Sequence, residues 1–122
     1  MIDERKNIIV EKSFRFALKI VLACEILEER RKFVIGRQLL KSGTSIGANI
    51  REAQGAETKA DFIHKMKIAF KEAEETEYWI LLCLKSPNIE IDEDLLTELN
   101  ELKKILSKII STAKYSMKQH HS

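Results

Sequence analysis

Residues 41–53 read KSGTSIGANIREA, a run of small side chains within a segment whose hydrophobic residues otherwise follow helical spacing. Glycine inside a helix costs about 0.5–1 kcal/mol relative to alanine. Gly43 and Gly47 lie one helical turn apart, so we expect a neighbouring element to approach both positions too closely for a larger side chain. The stretch therefore predicts a tight helix-packing face, either inside the fold or at an interface between subunits.

The composition predicts one all-α domain over residues 1–122. The chain has one proline and four glycines, with 44% hydrophobic and 33% charged residues, and it is long enough to bury about two-thirds of its unfolded surface in one core. Residues 1–7 carry two acids and no cleavage site of a secretory signal, which favours a cytoplasmic location. Cys24 and Cys83 lack CxxC spacing, so we expect two buried free thiols.

The most hydrophobic segment, residues 8–27, has about the length of a membrane span. Arg15 and Lys19 near its middle would each cost about 2.5–3.5 kcal/mol on insertion, which excludes a spanning helix. Fourteen of its twenty positions are nevertheless apolar, more than the single stripe that a bundle helix buries. Lys12, Arg15 and Lys19 form one narrow polar strip. We expect another subunit to cover the surplus apolar surface.

Hydrophobic spacing and capping signals predict four helices, at about 4–29, 33–54, 59–85 and 92–116. Thr58 and Asp61 resemble the capping pair of the third helix, and Pro87 follows its end. Four amphipathic helices with short connections predict an antiparallel up-down-up-down bundle. The core positions predicted on the last two helices are Phe62, Met66, Ala69, Ala73, Thr76, Ile80, Cys83, Leu95, Leu99, Leu102, Leu106, Ile109 and Ala113.

The chain contains no recognisable catalytic or metal-binding motif. Gly43 and Gly47 are not followed by the lysine and hydroxyl residue that complete a phosphate-binding loop. His64, His120 and His121 have no second ligand at metal spacing, and the acids at 72–77 are typical of a solvated helix face. We therefore predict a non-enzymatic protein without a metal or cofactor.

Three motifs carry a family resemblance: SIGANIREA at 45–53, TKADFI at 58–63 and AEETEY at 73–78. They are similar to those of bacterial four-helix bundle proteins encoded in intervening sequences of large-subunit ribosomal RNA genes, which are often labelled ribosomal-protein-like. That family resembles the accessory variability determinant of diversity-generating retroelements, which binds a reverse transcriptase and nucleic acid. Gly47, Arg51 and Ala53 stand where the family pattern has proline, alanine and glycine.

The resemblance implies a homopentameric barrel, which would cover the surplus apolar surface of the first helix. It also marks Asn49, Glu52 and Glu75 as the positions where the family keeps polar residues. These three either line a binding surface or pore, or form a hydrogen-bonded network that sets the register of helices two and three. We favour the network, because a buried acid needs partners. Tyr78 and Trp79 either stack on bases or pack in the core, and we favour packing.

Charge is uneven along the chain, with a net +5 over residues 1–51 and −3 over residues 52–122. The basic half supplies the candidate nucleic-acid contacts, which are Lys12, Arg15, Lys19, Arg37, Lys41 and Arg51. An overall charge of +2 is low for a dedicated nucleic-acid-binding protein, so the alternative is that these residues are ordinary solvent-facing cations.

Two functions stay open. One is an oligomeric accessory protein that faces RNA or another nucleic acid with repeated basic patches. The other is a scaffold or adaptor for a protein partner, in which the acidic half of one subunit meets the basic half of the next. A salt-dependent shift in the mobility of RNA would discriminate between them.

Overall fold

The computed structural model describes residues 4–121, and the side chains of residues 4–119. It contains four helices, α1 (Glu4–Glu29), α2 (Phe33–Ala53), α3 (Lys59–Lys85) and α4 (Asp94–His121). Residues 1–3, which belong to the segment used to exclude a secretory signal, lie outside the described residues, as do the side chains of His120 and His121. Within 4–121 the structure has no strand, which confirms the all-α class.

Helix α4 departs most from the predicted bounds. It begins at Asp94 because the Asp92 side chain caps it: Asp92 Oδ1 accepts a hydrogen bond from the Asp94 N–H at 2.9 Å. It continues past 116 because Met117 still packs against the core. Helix α3 starts with the expected cap, in which the Asp61 N–H donates to Thr58 Oγ1 at 3.0 Å.

The helices pack in a closed order, so that α2 lies between α1 and α3, and α4 contacts α3 and α1. Paired residues run in opposite directions along neighbouring helices: Lys12 pairs with Glu101, whereas Lys19 pairs with Glu98. The same reversal relates α2 to α3 through Ser42–Thr76 and Glu52–Lys65, and α3 to α4 through Glu77–Lys103 and Lys59–Ser116.

One hydrophobic core holds the four helices together. Every core position predicted on α3 and α4 is buried, because the apolar residues recur at the helical period. Cys24 and Cys83 are buried free thiols, as expected. Burial raises the pKa of the Cys24 thiol to about 11, and the nearby Cys83 adds to the effect. On α1 the buried stripe is Ile9, Ser13, Phe16, Ile20, Cys24 and Leu27.

Candidate functional site

The remaining apolar residues of α1 form an exposed surface on both flanks of its buried stripe. Its large side chains are 36–59% exposed, and they are Ile8, Phe14, Leu18, Val21, Leu22 and Ile26. The surface continues onto α2, where Val21, Phe33 and Leu40 line one groove between the two helices. We name this set of α1 and α2 residues the α1 apolar surface. A contiguous patch of this kind marks an interaction site.

Gly43 and Gly47 make their close contacts inside the chain, where α2 crosses α1. A Cβ built at Gly43 would lie 2.8 Å from Ile20 Cγ2, and one at Gly47 would lie 3.3 Å from the carbonyl oxygen of Ser13. Real Cβ contacts are longer than the first of these distances. The glycines therefore let α1 and α2 pack closely within one subunit.

The predicted network of Asn49, Glu52 and Glu75 is wrong. Asn49 Nδ2 donates to the carbonyl oxygen of Ser45 at 2.8 Å, within its own helix. Glu52 forms an ion pair with Lys65 of α3 at 3.6 Å, with 62% of the Glu52 side chain exposed. Glu75 lies at an exposed position on α3. None of the three carboxylate or amide groups is fully buried, so none needs the partners that motivated the network.

The buried polar link between α2 and α3 consists of Ser42 and Thr76 instead. Their hydroxyl oxygens lie 3.0 Å apart, and both residues are 0% exposed. Thr76 Oγ1 also lies 2.7 Å from the carbonyl oxygen of Glu72. The sequence carried a signal for this pair, because both hydroxyl residues occupy core positions of otherwise apolar helical repeats.

The three candidate cations of α1 already have carboxylate partners. Lys12 Nζ lies 3.6 Å from Glu101, and Arg15 Nη2 lies 2.5 Å from Glu11. Lys19 donates a hydrogen bond to Glu98, and this bond raises the pKa of Lys19 above its ordinary value. Any polyanion must therefore compete with protein carboxylates for this strip.

The three candidate cations of α2 lie in different surroundings. The Arg51 guanidinium stands 5.8 Å from the centroid of the Phe14 ring. Lys41 opposes the rise in the pKa of Glu72 that burial and Glu75 cause. Arg37 lines the groove between α1 and α2. The fold thus spreads the six predicted cations over several surfaces and does not assemble them into one patch.

A denser basic surface lies where the start of α3 meets the end of α4. Residues 59–71 and 107–119 hold seven lysines and one aspartate, a net charge of +6. Lys67 and Lys114 lie within hydrogen-bonding reach of each other, and this contact lowers the pKa of Lys114, with a further contribution from Lys118. We name Lys67, Lys114 and Lys118 the α3–α4 lysine surface. Sequence reasoning missed it, because residues 72–106 carry a net −7 that masks it in a sum over the half-chain.

Tyr78 and Trp79 divide between the surface and the core. Their rings form an edge-to-face pair with centroids 5.2 Å apart. Trp79 is partly buried and packs against the core, as the packing interpretation expects. Tyr78 is 57% exposed, so packing accounts for only one of the two rings.

The described part of the chain shows no group of three or more His, Cys, Asp or Glu side chains arranged to hold a metal ion. None of the helices in residues 4–121 is long and apolar enough to cross a membrane. Both observations concern the described residues alone.

Comparison with known proteins identifies relatives at the level of family and fold. The description "23S rRNA-intervening sequence protein" matches residues 5–108. A crystal structure of a protein with unknown function from the S23 ribosomal protein family of Bacteroides thetaiotaomicron VPI-5482 shares 44% sequence identity and superposes with a TM-score of 0.82. The match covers 88% of this chain and 98% of that one. No match is found among the curated proteins. The chain belongs to the 23S rRNA-intervening sequence protein family.

Proposed function

We propose that the protein is a non-enzymatic accessory protein that faces RNA as a closed homo-oligomer of antiparallel up-down-up-down bundles. The observation that carries the proposal is the α1 apolar surface. Phe14, Leu18 and Leu22 are 51–59% exposed on one helix, and a patch of this kind is buried when copies of the chain associate. Closed rotational symmetry covers the patch on every copy and leaves no unpaired end.

The proposed number of subunits is five. The support is the resemblance to homopentameric barrels together with the position of the apolar surface. It extends from α1 towards α2 on one side, where Val21 and Leu40 line a groove. On the other side, Leu22 and Ile26 line a second groove against α4. A ring uses two such flanks, one for each neighbour.

The proposal that the partner is RNA rests on family membership and on charge. The family is described by its link to 23S rRNA, and the chain has a net charge of +2 with its lysines unevenly placed. A single subunit would make few phosphate contacts, but a ring multiplies them. Avidity of this kind raises affinity by about 10²–10⁴ without any new contact. We place this protein in the cytoplasm, where two buried free thiols remain reduced.

The experiment compares RNA binding by the wild type and by a variant that lacks the apolar contacts, Leu18→Glu with Leu22→Glu. The matched control is Thr97→Glu with Asn100→Glu, which adds the same charge at exposed polar positions of α4. We expect the α1 variant to be monomeric and to lose avidity for a structured RNA in a mobility-shift assay, while the control retains both properties.

Two outcomes would contradict the proposal. If the wild type does not shift RNA at low salt, the nucleic-acid function fails and the protein-scaffold function replaces it. If the α1 variant keeps the wild-type mass and the wild-type affinity, the α1 apolar surface is not the interface through which subunits multiply their contacts.

A further inference from the structure

The α3–α4 lysine surface differs from the other lysine positions of the bundle. Elsewhere, lysines that face a neighbouring helix meet carboxylates, as Lys12, Lys65 and Lys103 do with Glu101, Glu52 and Glu77. Lys67 of α3 instead meets Lys114 of α4, and no carboxylate among the described residues forms an ion pair with either ammonium group. Two like charges held together by two different helices repel each other, and this repulsion lowers the pKa of Lys114.

The charge around this pair is strongly one-sided. Segments 59–71 and 107–119 have a net charge of +6. The parts of α1 and α2 that meet them, residues 4–11 and 48–58, add only −1. They belong to the same end of the bundle because Arg5 contacts Thr112 and Glu52 contacts Lys65. This end therefore has a net charge of +5, while the other end of the α3–α4 pair, residues 72–106, has −7.

Helix dipoles account for only part of this arrangement. Lysines near the end of α4, such as Lys114 and Lys118, lie where the dipole favours positive charge. Lys59 occupies the first position of α3, where the dipole disfavours it. Lys67 lies two turns into α3, beyond the range of the dipole, so the contact between Lys67 and Lys114 has no local compensation within either helix.

We propose that the α3–α4 lysine surface binds the phosphate groups of the RNA backbone. This inference rests on the proposed function and names the surface that serves it. Lys67 and Lys114 present ammonium groups from two packed helices, so one phosphate placed between them accepts hydrogen bonds from both. Lys118 lies one turn further along α4, about 6 Å away along the helix axis, and meets the next part of the strand. Lysine ammonium groups bind phosphates as point charges, so the surface reads no base sequence.

Phosphate binding removes the repulsion that the free protein carries. An anion between the two lysines stabilises the charged form of both, so the pKa of Lys114 rises when RNA binds. The ring assembly repeats the surface on every subunit, which gives a long RNA several equivalent contacts. Because these contacts release condensed counterions, the affinity falls steeply as salt increases.

The test measures the binding of a fluorescein-labelled RNA hairpin by anisotropy at two salt concentrations. The variant is Lys67→Gln with Lys114→Gln and Lys118→Gln, and a rescue variant places arginine at the same positions. The charge-matched control replaces Lys12, Arg15 and Lys19 by glutamine, since these cations already pair with carboxylates. We expect at least a tenfold loss of affinity at low salt for the first variant, near wild-type binding for the arginine variant, and a smaller loss for the control.

A second readout reports on the site itself. The affected variant should have a shallower salt dependence, with the slope of log K against log salt reduced by about 2 for three lost phosphate contacts. In the wild type, NMR titration of the Lys114 side chain should show its pKa rising on addition of the hairpin.

The outcomes separate this inference from the proposed function. If the wild type binds the hairpin but only the Lys12, Arg15 and Lys19 variant loses affinity, the RNA function stands and the α3–α4 surface is overturned. If the wild type binds no RNA, the function fails and this inference fails with it. If the glutamine variant at Lys67, Lys114 and Lys118 changes the mass of the assembly and leaves RNA affinity unchanged, the surface contacts another copy of the chain, and the inference is wrong.

Discussion

Replacing Gly43 by alanine should destabilise the protein, although alanine is the better helix former. The added Cβ would lie 2.8 Å from Ile20 Cγ2 and 2.9 Å from Ile20 Cγ1, where carbon atoms normally approach to about 3.5 Å. Both atoms are attached directly to the Cβ of a β-branched residue, whose χ1 angle is stiff. The methyl group therefore pushes α1 away from α2 rather than rotating a flexible side-chain end.

The size of the effect follows from two opposing contributions. Overpacking a core costs about 1–3 kcal/mol, and the Gly→Ala change in a helix returns about 0.5–1 kcal/mol. We expect the free energy of unfolding to fall by about 1–2 kcal/mol in Gly43→Ala, taking the middle of both ranges. Gly36→Ala is the matched control, because its Cβ would lie 3.6 Å from Leu27 Cβ, an ordinary contact distance. It should stabilise the protein by about 0.5–1 kcal/mol through helix propensity.

The assay is urea unfolding of the wild type and both variants at one protein concentration, because subunit association makes apparent stability depend on concentration. A double-mutant test with Ile20→Ala locates the clash. In that background the space beside Gly43 is empty, so Gly43→Ala should become neutral or stabilising. Equal stability of Gly43→Ala and Gly36→Ala, or no change of effect in the Ile20→Ala background, would refute the close approach of α1 and α2 at this point.

Three further predictions concern single residues. Thr76→Val should cost about 1–3 kcal/mol, because it removes the hydrogen-bond partner of buried Ser42, and Ser42→Ala in addition should restore most of the urea midpoint; an unrestored midpoint would contradict the pairing. Burial favours the neutral Cys24 thiol, so its stabilising contribution is complete below pH 9.0 and is lost as pH rises to about 11. Unfolding midpoints of the wild type should therefore fall more steeply over that interval than those of Cys24→Ala, and parallel curves would argue against it. Lys19→Gln should change stability by less than about 1 kcal/mol in urea unfolding because the ion pair with Glu98 is exposed, and a larger loss would mean that the pair is part of the core.

The fold was predictable because the helical period of apolar residues determines which side chains are buried. Met66, Thr76 and Leu102 occupy core positions for this reason. The ends of the helices depend on contacts that a periodic pattern does not contain. Asp92 stays outside α4 because its side chain caps the helix, and Met117 extends α4 because it still reaches the core.

The glycine pair shows how far local sequence can go. The cost of glycine in a helix predicts a close neighbour at Gly43 and Gly47, but the identity of the neighbour depends on how α2 is rotated about its axis. The structure places Ile20 and the Ser13 carbonyl there. The same rotation leaves Glu75 exposed, so the expected polar network could not form.

The charged surface was the least predictable feature. Charge summed along the chain treats residues 52–122 as acidic, with a net charge of −3. Folding brings the start of α3 beside the end of α4, and Lys67 then meets Lys114. The same process places Lys12 and Lys19 beside carboxylates of α4. Pairing between helices, rather than the count of charges in each half, therefore decides which cations are available to a partner.

The central claim is that copies of this chain assemble through the α1 apolar surface, and the mass of the purified protein in solution tests it most directly. Static light scattering after gel filtration should give five times the chain mass of 14.1 kDa for the wild type, and one chain mass for Leu18→Glu with Leu22→Glu. A wild-type protein that remains monomeric at micromolar concentration, or an α1 variant that keeps the wild-type mass, would contradict the claim.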